Sequence, residues 1–358
     1  MQKSVSLCMS GKRSRAMHPP SRVLISRTDG IGDVVLTLPV AAFIKKKYPG
    51  CAVLFLGNSY TKPVVDACCN ADEFVDWDSV GGLDKASQRQ AFADLNVDAI
   101  IHVFPDKRIA QLAKRADIPV RIGTRNRFHH LLSCNRLVPL SRKNSPLHEA
   151  QLNLKLLAPL GIHESPELDE LNGSFGLTKI KQLPHGLKNL IKPNLQAVIL
   201  HPCSKGSARE WGLDRFSELI SLLPVDRFQI FVTGSSAEGE AMKGFLSQNR
   251  ARVTDVTGKL SLAELVAFIG SCDALVAAST GPLHIAAALD KIAIGIYAPM
   301  KPIWPRRWAP IGRKAHVMVA NRTCNDCRRG GSCTCMRSIG PGDVAAILIA
   351  QSPPRGGR

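Results

Sequence analysis

Short runs of aliphatic and β-branched residues alternate with longer amphipathic stretches along almost the whole chain. The runs at 22–26, 52–56, 98–103, 120–123, 197–201, 228–233, 274–278 and 292–297 predict strands. The stretches at 33–47, 86–95, 108–115, 147–160, 214–223, 237–248, 261–269 and 282–289 predict helices between them. Strands separated by helices read as βαβ units, which build parallel sheets with helices on both faces. The alternation lapses once. From 164 to 194 the chain is rich in Pro, Gly, Leu and Lys without a period, and a strong strand pattern restarts at Ala197. The lapse divides the chain into a tail at 1–20, a first Rossmann-like domain at 21–175, a linker at 176–195 and a second Rossmann-like domain at 196–350. Two such halves create a cleft between the carboxyl ends of their sheets, where open α/β sheets bind ligands.

Composition narrows the class. The 358 residues suit two domains, and a hydrophobic fraction of 45% excludes wholesale disorder, collagen-like and coiled-coil chains. The longest uncharged apolar stretch, 274–289, contains Pro282 and His284 and falls short of the roughly 18 residues that predict a spanning helix. The segment 1–20 holds Lys3, Lys12, Arg13 and Arg15, no acidic residue and no signal-peptide core, which predicts a disordered basic tail on a cytoplasmic protein. Lys and Arg number 47 against 29 Asp and Glu, a formal charge of +18. An anionic partner is therefore expected: nucleic acid, a phosphorylated small molecule or an acidic membrane surface.

Three segments carry candidate chemistry. The first strand runs into Arg27-Thr28-Asp29-Gly30-Ile31-Gly32-Asp33, where Gly30 and Gly32 permit a tight strand-to-helix turn and close approach of a ligand. Asp33 then stands at the helix start, either as a reactive carboxylate or as a helix cap. The strand at 197–201 ends in a small-residue loop carrying Lys205 and Arg209, suited to an anion, while Trp211 and Phe216 read as core. The strand at 274–278 is followed by Ser279-Thr280-Gly281-Pro282-Leu283-His284, with Pro282 at the first helical position and free N–H groups that can cradle phosphate. His284 reads equally as a structural histidine.

Other clusters are less directed. Arg121, Arg125, Asn126, Arg127, His129 and His130 form either a binding patch for an anionic substrate or a solvated loop. Asp76-Trp77-Asp78 reads as a turn cap rather than a metal site. Eleven cysteines, an odd number, fit reduced thiols. Cys324, Cys327, Cys333 and Cys335 have spacing close to that of structural zinc, and reactive or reduced thiols beside Arg328, Arg329 and Arg337 are the other reading.

Taken in order, RTDGIGDVVLTLP, HPCSKGSAREWGLDRF and STGPLHIAAALDKIAIGIYAP resemble the glycosyltransferase family 9 heptosyltransferases over about 22–344. The resemblance implies a GT-B fold, with the acceptor bound by the first Rossmann-like domain and a nucleotide sugar by the second. It implies a metal-independent inverting transfer from ADP-heptose to a phosphorylated lipopolysaccharide-core acceptor, peripheral contact with the inner face of the inner membrane, and no nucleic-acid partner. By position, Asp33 matches the family's catalytic base. Arg209, Lys205, Ser279, Thr280, Gly281 and His284 fall in the donor-diphosphate segments, and Glu238 matches an acidic position near the donor's ribose. Gly30, Gly32, Arg121, Arg125 and Arg127 are the acceptor-side candidates. One departure stands out: many members have Asp where this chain has Ser279, which opens the choice of donor sugar.

Two other readings compete. One is a non-enzymatic nucleic-acid-binding protein, which the 5% aromatic content and the lack of recognition-module spacing disfavour. The other is a relative that binds nucleotide but has lost or changed its donor sugar.

Overall fold

A computed structural model describes residues 18–143, 145–301, 303–320 and 334–351. The first half contains six parallel strands: β1 (Arg22–Ser26), β2 (Ala52–Gly57), β3 (Glu73–Asp76), β4 (Ala99–His102), β5 (Val120–Thr124) and β6 (Arg136–Val138). They lie in the order β3-β2-β1-β4-β5-β6. The second half repeats the plan with β7 (Gln196–His201), β8 (Phe228–Val232), β9 (Val253–Asp255), β10 (Ala274–Ala278), β11 (Ile292–Tyr297) and β12 (Ala315–Val319). Its order, β12-β11-β10-β7-β8-β9, is the same doubly wound arrangement read from the other edge.

The eight strands expected from hydrophobic runs are the inner ones. Helices cover both faces there, so β4, β7, β10 and β11 are buried at every position. The four that the pattern missed, β3, β6, β9 and β12, are the outermost strands of their sheets. Their residues are half-buried or exposed for the most part, so no apolar run marks them.

Three expected helices are broken. The stretch 33–47 forms Ile31–Val35 and Leu38–Lys47, because Pro39 has no N–H to continue the first helix and instead opens the second. The stretch 237–248 divides at Met242 into Ser236–Ala241 and Lys243–Gln248. The stretch 147–160 is α-helical at Glu149–Leu154 and tightens to a 3₁₀ helix over Lys155–Leu160, which contains Pro159. The terminal helix, Pro341–Gln351, packs on Leu213–Leu222, and Trp211, buried beneath, donates Nε1–H to the Ile339 carbonyl at 3.1 Å. No helix among the described residues is long and apolar enough to cross a membrane.

Between the sheets the chain is held first by one half and then by the other. Leu177 bridges to Cys68, and Lys179 N–H reaches the Ala67 carbonyl at 2.9 Å. Lys192 N–H then bonds Gln229 Oε1 at 2.9 Å on β8. A continuous apolar cluster joins Val23, Val35 and Phe55 to Ile199, Phe268 and Leu283, so the halves share buried surface. At its rim the helices Ile31–Val35 and Gly281–Ala288 meet through glycine. A Cβ on Gly281 would lie 2.8 Å from Ile31 Cβ, and one on Gly32 would lie 2.8 Å from His284 Cδ2. The glycines expected to admit a ligand thus also admit the opposite half.

Substituting Gly281→Val should force these helices apart. Small-angle scattering is expected to show a larger radius of gyration than wild type with both halves still folded; an unchanged radius would mean that the contact does not set the spacing.

Candidate active site

The loop leaving β1 is organised by a buried arginine. Arg27 is 3% exposed, and its guanidinium reaches three carboxylates. Nε donates to Asp29 Oδ1 at 2.6 Å, Nη1 to Glu149 Oε1 at 3.1 Å, and Nη2 to Asp33 Oδ1. Burial works against the Arg27 charge, but the three carboxylates outweigh it and hold the group protonated. Asp29 is pushed above the ordinary carboxylate range by burial and by Asp33, in spite of Arg27. Gly30 occupies the cap position of the helix Ile31–Val35, so Asp33 lies within the first turn and is not the cap. Its side chain is 26% exposed and lines the cleft.

Glu149, 1% exposed, is the centre of the surrounding charge. Besides Arg27 it accepts from Arg142 through Oε1 and, through Oε2, from Arg307 Nε at 3.1 Å and Nη2 at 2.9 Å. Arg307 comes from the second half and also bonds the Arg142 carbonyl at 2.8 Å. Burial pushes the Glu149 carboxyl up, yet the three guanidiniums hold it down at about 2. Arg142 continues to Asn153 Oδ1 at 3.0 Å, and Asn153 Nδ2 bonds the Leu36 carbonyl at 3.1 Å, bracing the turn that follows Asp33.

The opposite wall is the start of the helix Gly281–Ala288. Ser279, Thr280, Gly281 and His284 line a cleft of about 330 Å³ together with Gly30, Gly32, Asp33 and Arg307. Thr280 Oγ1 and His284 Nδ1 are buried and have no hydrogen-bond partner among the described residues, although both belong to this wall. Burial, with a smaller push from His148, lowers His284 to about 3, so its imidazole is neutral. A neutral ring, a hydroxyl and the positive end of a helix suit an anion that needs donors without a competing buried charge.

A second cleft of about 380 Å³ adjoins the first and shares Ser207, Thr280 and Gly281 with it. Lys205 and Glu238 line it. Lys205 and Gly206 have φ of 48° and 78°, and Ser207 N–H bonds the Ser204 carbonyl at 3.0 Å, forming a tight type I′ turn. Glu238 closes a capping box with Ser235, whose N–H reaches Oε2 at 2.7 Å. Arg209 is half-buried at the end of the same loop and lines neither cleft.

Several candidates lie elsewhere. Arg121 lines neither cleft. It sits near the amino end of β5, and its guanidinium is taken by the Ile118 and Ser133 carbonyls, away from the strand ends that open on the cleft. Arg125 and Arg127 follow the carboxyl end of β5 and are exposed. Asp76 caps the helix Trp77–Gly81 and accepts from Ser59 and Ser79. Cys324, Cys327 and Cys333 lie outside the described residues; Cys335 is buried. Among the described residues, no group of three or more His, Cys, Asp or Glu side chains is placed to hold a metal.

A family model for glycosyltransferase family 9 (heptosyltransferase) matches residues 87–335. This chain belongs to that family. It is a glycosyltransferase of the heptosyltransferase group. It is 22% identical over 321 residues to lipopolysaccharide heptosyltransferase 2 of Salmonella typhimurium, covering 83% of this chain and 87% of the relative. The fold matches that of E. coli ADP-heptose LPS heptosyltransferase II, with a TM-score of 0.71 at 19% identity over 92% of this chain and 98% of that one. It also matches E. coli heptosyltransferase WaaC with ADP, with a TM-score of 0.70 at 20% identity over 91% and 98% of the two chains.

The sequence reading of this glycosyltransferase missed Glu149, Arg142 and Arg307: the pairs of Glu149 with Arg27 and Arg307 span 122 and 158 positions and leave no local spacing, and Arg142, 7 positions from Glu149, belongs to no motif. Glu149→Gln strips Arg142 and Arg307 of the carboxylate they share, leaves Arg27 with Asp29 and Asp33, and is expected to cost about 3–5 kcal/mol. Because the folded carboxyl is depressed, its contribution is complete above about pH 4.5 and fades as pH falls toward 2. Thermal melts across that range should therefore converge for wild type and variant at low pH; a constant gap would exclude this origin.

Proposed function

We propose that this glycosyltransferase moves a sugar, with heptose from ADP-heptose favoured, to a lipopolysaccharide core or related phosphorylated glycolipid. The observation carrying the reading is that one cleft is lined by Asp33 from the first half and by Thr280 and His284 at a helix start of the second. The nucleoside diphosphate lies along the second wall, with its phosphates on the N–H groups following Thr280, beside Lys205 and with Arg209 at the loop's end. Glu238 faces the donor's ribose from the adjoining cleft.

The acceptor hydroxyl attacks the anomeric carbon from the Asp33 side. The new C–O bond forms as the bond to the diphosphate breaks, the anomeric centre inverts, and the hydroxyl proton passes to Asp33. A carboxylate is a weak base toward a hydroxyl, so its proton transfer is late. Most of the rate enhancement comes from stabilising charge on the leaving diphosphate with donors already in place. No metal takes part in this reading. A net charge of +18 supports a peripheral position on the cytoplasmic face of the inner membrane, where an anionic leaflet holds the acceptor.

Ser279 favours a second reading in which the donor sugar has changed. It lines the cleft, so the position that carries Asp in many members presents a neutral hydroxyl there in this chain.

Asp33→Ala is expected to reduce transfer by about 10²–10⁴-fold while leaving the calorimetric affinity for ADP unchanged. Equal loss of both would contradict the base role. ADP should bind in preference to UDP, GDP and CDP and equally well in EDTA; preference for another diphosphate would discard ADP-heptose, and loss in EDTA would discard the metal-independent step.

A further inference from the structure

The helix Phe128–Ser133 presents its faces in reverse. His130 and Ser133 are buried and His129 is half-buried, while Phe128, Leu131 and Leu132 are 76%, 49% and 59% exposed. Positions i, i+3 and i+4 share one helix face, so the three apolar side chains form a single outward stripe. The polar side is fixed inward: His130 Nδ1 accepts the Thr124 N–H at 2.9 Å, and burial, then His129, holds His130 down at about 4, uncharged.

The surroundings are basic. From 118 to 148 the sequence has no Asp or Glu, and Arg125, Arg127 and Arg136 in that stretch are exposed. The helix packed alongside, Lys107–Arg115, adds exposed Lys114, whose Nζ reaches the Leu132 carbonyl at 2.9 Å. Nearby acids are engaged, Asp106 in capping that helix and Asp117 with Arg89.

We infer that Phe128, Leu131 and Leu132 seat the enzyme on the acidic headgroup layer of a membrane, entering the headgroup–acyl boundary while Arg125, Arg127, Arg136 and Lys114 pair with lipid phosphates. An apolar stripe ringed by Lys and Arg is the pattern of an interfacial helix. A second copy of this chain fits poorly, because a two-fold contact would set these arginines against their own copies. Three side chains also fall far below the roughly 800 Å² per partner of a stable protein interface. The helix begins after the carboxyl end of β5, the end of the sheet that opens on the cleft, and runs back beside that strand to Ser133, so Phe128 is the stripe residue nearest the cleft. This inference rests on the reading that the acceptor is a membrane glycolipid.

The test uses the full chain and acceptor-free vesicles of phosphatidylglycerol with phosphatidylethanolamine, against phosphatidylcholine alone. Wild type should float with the acidic vesicles only. The triple variant Phe128→Ser, Leu131→Ser, Leu132→Ser should bind them about tenfold more weakly, with an unchanged melting temperature. Arg125→Glu with Arg127→Glu should weaken binding separately and flatten its salt dependence. Transfer to a delipidated, water-soluble acceptor should be unaffected by the triple substitution, while transfer to vesicle-embedded acceptor falls. Wild type that ignores acidic vesicles, or a triple variant that binds as wild type does, overturns the docking. So does a wild-type dimer that the triple substitution splits, since a second copy would then cover the face. Stripe-dependent binding without transfer to any acceptor supports the docking and defeats the acceptor reading instead.

Discussion

A single buried carboxylate, Glu149, answers three guanidiniums drawn from both halves, and the shape of the cleft follows from that demand. Removing charges from water costs several kcal/mol per ion, so Arg142 and Arg307, whose one carboxylate partner among the described residues is Glu149, are stable at the seam while they keep it. Arg27 and Arg142 meet the requirement from the first half, and Arg307 can meet it only if the second half is closed against it. Arg306, donating to the Pro146 carbonyl at 3.0 Å, and His148, bonded to the Ala309 carbonyl at 3.0 Å, reinforce the same seam. The glycine contact between Ile31–Val35 and Gly281–Ala288 then sets how closely the two walls approach.

Charge is divided unevenly across the cleft that this closure creates. The first wall holds carboxylates restrained by Arg27, which keeps Asp33 in one orientation at the edge of solvent. The second wall holds a helix start, the Thr280 hydroxyl and an uncharged His284, with Lys205 in the adjoining cleft. A reaction that sheds an anionic leaving group toward one side and a proton toward the other matches that asymmetry, with the stabilising dipoles present before negative charge builds.

Much of this was legible because of where the loops arise. Asp33 follows β1, Lys205 follows β7, Glu238 follows β8 and Thr280 follows β10, all central strands whose apolar runs announce them. Once the sheets are parallel, the loops after those strands must share one side. What the sequence concealed follows from the same physics. Edge strands lack continuous apolar runs because one side faces solvent, and ion pairs formed only after two halves meet have no period. Charge alone does not say which end of β5 carries Arg121, and its guanidinium is held by the Ile118 and Ser133 carbonyls. The reversed helix Phe128–Ser133 was visible as a basic segment, but only its burial shows that the histidines turn inward and the apolar residues outward.

The most direct test of the account is a crystal structure of the protein with ADP. Phosphate oxygens are expected within hydrogen-bond reach of the N–H groups that follow Thr280 and of its hydroxyl, with Asp33 still held by Arg27 on the facing wall and open space between them for a sugar. Diphosphate bound outside the shared lining of the two clefts, or ordered against Arg27 in place of Asp33, would contradict it.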